Sequence, residues 1–234
     1  MLSIIIPVLN EAENITSLLN RLLDVSSEGT ISEIIVVDGG SSDGTQKILS
    51  SFSNKSATSV NLISSEKGRA KQMNAGAKIA SGSILYFLHA DSIPPFNYDT
   101  LIISEVEKGN PAGCFRMKFD SKHWWLCLAG WLTRFKSKAC RGGDQSQFIT
   151  RELFEEICGY DESFTIYEDY VLISELYNRK SFVVIPAWLI TSARLYERKG
   201  IWKLQYHFWT IYIKKFFGAS ADNLYSYYVK HIAP

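Results

Sequence analysis

Ile84-Leu85-Tyr86-Phe87-Leu88-His89-Ala90-Asp91 is the stretch on which the reading of the fold turns. Five apolar residues in a row, with no polar alternation, describe a strand buried on both faces, as in parallel sheets covered by helices. At the carboxyl end of such a strand residues i and i+2 point to one side, so His89 and Asp91 are expected to face one point. Open α/β sheets take their ligands at that edge. An imidazole and a carboxylate aimed at one spot suit a divalent cation, and the cation suits a diphosphate. The plain alternative is a turn, since Asp91 runs into Ser92 and Pro94-Pro95.

Upstream, strands and helices alternate. Ser3 to Val8 is apolar and β-rich, and Ile15, Leu18, Leu19, Leu22 and Leu23 mark one helical face. Ile34 to Val37 reads as a second strand, with Asp43 placed to cap a helix beginning near Thr45. Val60 to Ile63 is a short third strand, and Gly68 to Ala80 a helix whose small residues permit close backbone approach. Alternation with short connections implies right-handed crossovers and a doubly wound, mostly parallel α/β sheet.

Beyond Pro94-Pro95 the rhythm changes. Leu101 to Lys108 and Trp124 to Phe135 read as helices and Gly113 to Phe119 as a strand. A short strand is expected at Gln147 to Thr150, then helices at Arg151–Ile157 and Glu168–Asn178 and a strand at Phe182–Ile185. From Ile201 the chain is helical and dense in aromatics. We expect one domain over 1–234: a nucleotide half (1–92), an acceptor half (93–200) and a helical tail (201–234).

The 234 residues carry a formal net charge of +1 and no long basic run, which argues against nucleic acid as a partner. Leu2 to Leu9 lacks a basic leader and is broken by Pro7, so a signal peptide is not expected. No stretch reaches ~18 uncharged apolar residues, the minimum for a spanning helix. Cys114, Cys127, Cys140 and Cys158 show no close pairing and read as free thiols of a cytoplasmic protein.

Three further segments fall at strand ends or helix starts. Pro7-Val8-Leu9-Asn10-Glu11 opens the first helix, whose free N–H groups lie at the ligand edge. Its plain reading is a cap at Asn10 with Glu11 and Glu13 favoured by the dipole. In Val36-Val37-Asp38-Gly39-Gly40-Ser41-Ser42-Asp43-Gly44-Thr45, a carboxylate ends a strand and the loop around Gly40 is flexible. That suits a nucleobase or ribose. Lys67-Gly68-Arg69-Ala70-Lys71-Gln72-Met73-Asn74 puts cations and an amide at a helix start, where Arg69 and Asn74 suit a diphosphate or base. No dinucleotide glycine fingerprint and no P-loop follows any strand, which weakens dehydrogenase and kinase readings.

In order and spacing, the Pro-Val-Leu-Asn-Glu, Val-Asp-Gly-Gly-Ser-Ser-Asp-Gly-Thr, Gly-Arg-Ala…Asn-Ala-Gly and His-Ala-Asp blocks resemble the GT-A fold glycosyltransferases of family 2. The likeness is closest to small bacterial members with His-Ala-Asp and a later Gly-Asp-Gln, here Gly143-Asp144-Gln145. Tyr167-Glu168-Asp169-Tyr170 looks like the family's Glu-Asp pair, and Thr191-Ser192-Ala193-Arg194 resembles its arginine-bearing segment. The resemblance implies metal-dependent, inverting transfer of a sugar from a nucleotide-diphospho-sugar, a UDP-sugar before others, to an acceptor hydroxyl. It implies that Pro7, Asn10, Glu11 and Asp38 surround base and ribose, and that Asp91 holds Mg or Mn on the diphosphate. Asp169 would be the general base, with Asp144 in reserve. Two positions depart from the pattern. His89 replaces the first carboxylate of Asp-x-Asp, and is either a second metal ligand or a ribose contact. Gly39 replaces the second Asp of Val-Asp-Asp-Gly-Ser, which loosens the assignment of uracil.

Glu168 and Asp169 also read plainly as acids favoured by a helix N-terminus. Two rival functions stand beside transfer. A sugar-nucleotide pyrophosphorylase would carry a glycine-rich, arginine-bearing loop where Leu9-Asn10-Glu11 stands. A non-catalytic nucleotide-sugar-binding protein would tolerate His89 and Gly39. The aromatics of 201–217 fall on more than one helical face. They fit self-packing, a homodimer contact, or reversible membrane association serving a lipid-linked acceptor.

Overall fold

The computed structural model describes residues 1–52 and 58–233. Strands β1 (Leu2–Val8), β2 (Ile31–Asp38), β3 (Ser59–Ser64) and β4 (Ile84–Phe87) alternate with helices α1 (Ile15–Val25), α2 (Thr45–Ser50) and α3 (Arg69–Ile79). The unbroken apolar runs arise because both sheet faces are covered. Ile4, Ile6 and Val8 pack on the α1 side, whereas Ile5, Val37 and Phe87 pack on the α3 side. Helix α3 rides close to the sheet through Gly76, where an added Cβ would stand 2.5 Å from Ile5.

There follow β5 (Ser92–Ile93), α4 (Tyr98–Glu107), β6 (Ala112–Phe119), α5 (Trp124–Leu132), β7 (Gln147–Thr150) and α6 (Arg151–Glu156). Then come α7 (Glu168–Asn178), β8 (Val183–Thr191), α8 (Arg194–Lys199), α9 (Ile201–Phe216) and α10 (Ala221–His231). One sheet runs β3-β2-β1-β4-β7-β6-β8-β5. Its strands are parallel except β7, inserted between β4 and β6, and β5 at the edge.

Four local expectations are corrected. β4 ends at Phe87, so His89 and Asp91 lie in a turn in which Ser92 N–H donates to the His89 carbonyl at 3.1 Å. Strand alternation therefore does not aim their side chains. β8 does not stop at Ile185: Phe115 faces Ile185 while Arg116 faces Trp188. Pro186 and Ala187 form a bulge, which accommodates the missing proline donor, and the strand continues to Thr191. The α2 cap position is Gly44, with φ of 94°, one residue later than expected, although Asp43 still accepts the Thr45 N–H at 3.0 Å. Nor does Asn10 cap α1, whose N-cap is Asn14.

The tail docks on the domain through Leu204, Ile211, Leu224 and Ile232, which pack with Phe164 and Ile166. Residue 234, the last of the expected tail, lies outside the described residues. Among the described residues, no helix is long and apolar enough to cross a membrane.

Candidate active site

β1 stays paired with β2 through Val8–Asp38 but with β4 only through Ile5–Phe87. The chain passes from one side of β1 to the other here, which makes the ends of β1 and β4 the switch point where open α/β sheets take ligands. Pro7 is buried in β1 opposite Val37, just past the last β4 pairing.

The loops after β1 and β2 are laced together above the switch point. Asn10, at φ of 58°, donates its N–H to Ser41 Oγ at 2.9 Å and accepts from Ser42 N–H at 2.8 Å. Glu11 N–H donates to Thr45 Oγ1 at 3.0 Å, and Ala12 N–H to Asp43 at 3.0 Å. Asp38 lies buried beneath this loop and accepts from Gly40 N–H at 3.0 Å, Ser41 N–H at 3.1 Å and Gln46 Nε2 at 2.5 Å. Burial works to raise its pKa, but bonds from Ser41, Gln46 and Gly40 prevail and hold it below the usual range.

Gln72 was not singled out by sequence reasoning. Its Nε2 donates to the carbonyls of Val8 (2.8 Å) and Val37 (2.7 Å), joining the two strand ends from below. A Cβ at Gly39 would stand 3.0 Å from the Gln72 amide, so Gln72 fills the space beside Gly39. The available signal was position: Gln72 precedes Gly76, the close-approach residue, by one helical turn.

On the opposite wall three carboxylates gather from distant segments. Glu168 and Asp169 open α7, and Asp144 sits in a 3₁₀ turn over Gly143–Gln145. Arg69, from the first turn of α3, approaches Glu168 at 3.7 Å and Asp169 at 3.9 Å. A Cβ at residue 143 would overlap the Asp169 carboxylate, so only glycine leaves it room. Burial, reinforced by Glu168 and opposed by Arg69, pushes Asp169 up to about 7. Burial also raises Asp144 and Glu168. Acids held merely by a helix N-terminus would be shifted down. These are shifted up.

Asp91 joins this cluster from the β4 turn. Burial, with Asp144 and Glu11 adding to it and Arg194 opposing, pushes it up to about 6. Arg194 pairs with Glu11 and lies 3.7 Å from Asp91, a role no sequence feature had assigned. The signal was its place in the Thr-Ser-Ala-Arg block. Burial and Arg69, opposed by the Gly143 backbone, carry the His89 pKa down to about 3, so the ring is neutral.

Above the acids lies a cavity of about 350 Å³. Arg69, Asp144 and Asp169 form its floor. Tyr167, Tyr170 and Tyr212 form an aromatic wall with ring centroids 4.8–5.5 Å apart. Ala129 and Leu132 of α5, with Gln205 and Phe208 of α9, close it from above.

Among the described residues, no three His, Cys, Asp or Glu side chains are grouped to hold a metal by themselves. A cation bound largely through phosphate oxygens and water needs only one or two carboxylates. Asp91, raised by burial and by the nearby Asp144, is a carboxylate of the kind such a cation would need.

The family model described as glycosyl transferase family 2 matches residues 3–167, from β1 to the residue before α7. The chain belongs to glycosyl transferase family 2. Over 93 residues it is 42% identical to glycosyltransferase AglE of Haloferax volcanii, a match covering 39% of this chain and 31% of that protein. It is 33% identical over 108 residues to the dolichol-phosphate mannosyltransferase of Pyrococcus furiosus, covering 46% of this chain and 30% of the other. The matched segment thus spans about a third of the length of these relatives. Among solved structures, Staphylococcus aureus TarS 1-349 in complex with UDP-GlcNAc superposes with a TM-score of 0.65 at 20% identity. That likeness covers 82% of this chain and 58% of TarS 1-349, and the fold is the GT-A fold.

Within this family 2 chain Asn74, expected at the nucleotide, is tied to a neighbouring turn. Asn74 Nδ2 donates to the Tyr160 carbonyl and to Glu162, both at 2.9 Å, and its Oδ1 accepts from Tyr160 N–H at 3.0 Å. With both Nδ2 hydrogens and one Oδ1 lone pair engaged, Asn74 anchors α3 to the 160–162 turn.

Proposed function

We propose that this chain transfers a sugar from a nucleoside diphosphate sugar, with UDP as the nucleotide, to an acceptor hydroxyl in the tyrosine-lined cavity. The observation that carries this reading is Asp169. A buried carboxylate with a pKa of about 7, on the floor of a cavity beside the switch point, is suited to accept a proton near neutral pH.

In this mechanism the donor lies across the ends of β1 and β4, its base and ribose against the loop that Asp38, Asn10 and Gly40 shape. Pro7 and Glu11 flank that loop from the β1 side. Asp169 takes the proton from the acceptor oxygen as that oxygen attacks the anomeric carbon opposite the leaving diphosphate. One protein base and in-line attack give inversion. Arg69 limits how far the Asp169 pKa rises, keeping part of the population ionised. Asp91, with neutral His89 as second ligand, would hold a divalent ion whose chemistry is to neutralise charge gathering on the diphosphate. TarS, whose fold this chain shares, has been crystallised with UDP-GlcNAc and with UDP, which supports the choice of nucleotide.

Calorimetric titration with UDP and Mn²⁺ or Mg²⁺, alongside a UDP-release assay on UDP-sugars, tests the reading. Binding and slow donor hydrolysis are expected. Absence of UDP binding at millimolar concentration would sink it, and binding with no turnover of any donor would favour the non-catalytic rival.

A further inference from the structure

The helices above the cavity have a second apolar face that the domain does not use. On α9, Leu204, Phe208 and Ile211 turn inward, while Trp202, Tyr206, Trp209, Ile213 and Phe216 form a stripe on the opposite side. The aromatics that seemed too many for one amphipathic helix are two stripes back to back. The outer one is open: Phe216 and Phe217 are 85% and 80% exposed.

Helix α5 repeats the arrangement. Leu126 and Gly130 are buried, whereas Trp124, Leu128, Trp131 and, just beyond the helix, Phe135 are exposed. The two helices are joined edge to edge. The Trp202 ring centroid lies 5.6 Å from that of Trp124 and 5.4 Å from that of Trp125, tilted against both, and Trp125 Nε1 donates to Gln205 at 3.0 Å. The exposed stripes therefore form one aromatic surface spanning both elements.

Charge decides what covers it. The chain has 24 acidic residues, yet none lies between Asp120 and Asp144 or between Glu197 and Asp222, the two stretches that hold these helices. Their charged residues are all basic, among them Lys122, Arg134, Lys136, Arg198, Lys203 and Lys214. Lys122, Arg134, Lys136 and Lys203 are exposed. An isologous contact between two copies would bring these like-charged rims together. An aromatic plane on helices whose own charges are all basic matches an anionic lipid surface, with rings at headgroup depth and cations on phosphate.

We propose that α5 and α9 together form a docking face that lies flat on anionic bilayers. The helix of Ile201–Phe216, 16 residues long, is too short to span one. The inner sides of the same helices line the cavity, so docking sets Asp144 and Asp169 roughly one helix diameter, ~10 Å, below the lipid boundary. The inference goes beyond the transfer reading and stands without it.

The test is co-sedimentation with phosphatidylcholine vesicles and with vesicles in which phosphatidylglycerol replaces part of the lipid, at low and high salt. The parent is expected to sediment with the anionic vesicles and to be released by salt. A triple variant, Ile213→Ser with Phe216→Ser and Phe217→Ser, should bind at least tenfold more weakly. UDP titration of both proteins, run in parallel, separates the two readings. Vesicle binding without UDP binding would leave docking standing and remove the transfer reading; UDP binding without vesicle binding would do the reverse. Docking is overturned if the parent stays in solution with anionic vesicles at low salt, or if the triple variant binds as the parent does. It is equally overturned if sedimentation velocity shows that this face instead joins two copies.

Discussion

Asp38 and Asp169 are both buried carboxylates at the ligand edge of one sheet, and their environments drive them in opposite directions. Asp38 receives N–H groups from Gly40, Ser41 and Gln46 and is held below the usual carboxylate range. Asp169 is buried beside Glu168, faces only the half-exposed Arg69, and is pushed up to about 7. Burial is common to both. The supply of donors decides the sign. A carboxylate saturated by its own loop shapes a binding surface, whereas one left short of donors is ready to take a proton.

The largest expected effect breaks the comparison at Asp169. Asp169→Asn should lower UDP-sugar turnover at least ~100-fold, the low end for loss of a general base, while UDP affinity stays within a few-fold. If Asp144→Asn is the dead variant and Asp169→Asn remains active, the two acids exchange roles.

The next concerns Asp38. Asp38→Asn replaces an acceptor of three hydrogen bonds with a group that sets N–H against N–H, at a cost of about 2–3 kcal/mol. Urea unfolding at pH 7 reads this directly, and an unchanged midpoint would mean the loop does not depend on the carboxylate.

The same pair sets opposite pH dependences of stability. Asp38, with a lowered folded pKa, contributes stability above the unfolded value of about 4, which is lost as pH falls through its folded pKa. Asp169, raised to about 7, does the reverse: the fold loses stability as pH rises from about 4 to 7. Asp91, raised to about 6, adds to that loss. Thermal stability of the metal-free protein should therefore be greatest near pH 4 and fall as pH rises from there to 7. At pH 8, Asp169→Asn should raise Tm by about 2–4 °C for each kcal/mol relieved. A variant no more stable than the parent at pH 8 would show that Arg69 already compensates the charge.

The smallest effect sharpens the nucleotide side. Gly39→Asp, which restores the common family residue, meets Gln72 at 3.0 Å and should cost about 1 kcal/mol. In a Gln72→Ala background that cost should shrink, giving a coupling of roughly 0.5–1 kcal/mol between contacting residues. Simple additivity would show that Gln72 does not set the space at Gly39.

The fold was legible because its signals are local. Ile4 to Val8 and Ile84 to Leu88 are read as buried strands from their own composition, and α7 begins and ends where its sequence indicates, at Glu168 and Asn178. The site was legible only in part because its contacts are not local. Nothing around Asn10 distinguishes a cap for its own helix from a partner for Ser42, 32 residues away. Nothing around Asn74 announces Tyr160, 86 residues on. Pro186 looked like the end of β8 because a proline removes one ladder donor, and only the paired register of β6 reveals the bulge that lets the strand continue.

The two-residue strand β5 carries a consequence for how the chain is made. Ser92 reaches its partner Thr191 across 99 residues. β1 to β4 can pair as soon as each crossover helix follows its strand, but β5 must wait while the whole of the intervening chain is synthesised. At ~5–20 residues per second that delay is about 5–20 s. Its brevity is protective, since a long unpaired edge left open for that time would template aggregation. The segment that bears Asp91 is therefore fastened last, and a nascent chain acquires its full ring of carboxylates only after β8 has left the ribosome.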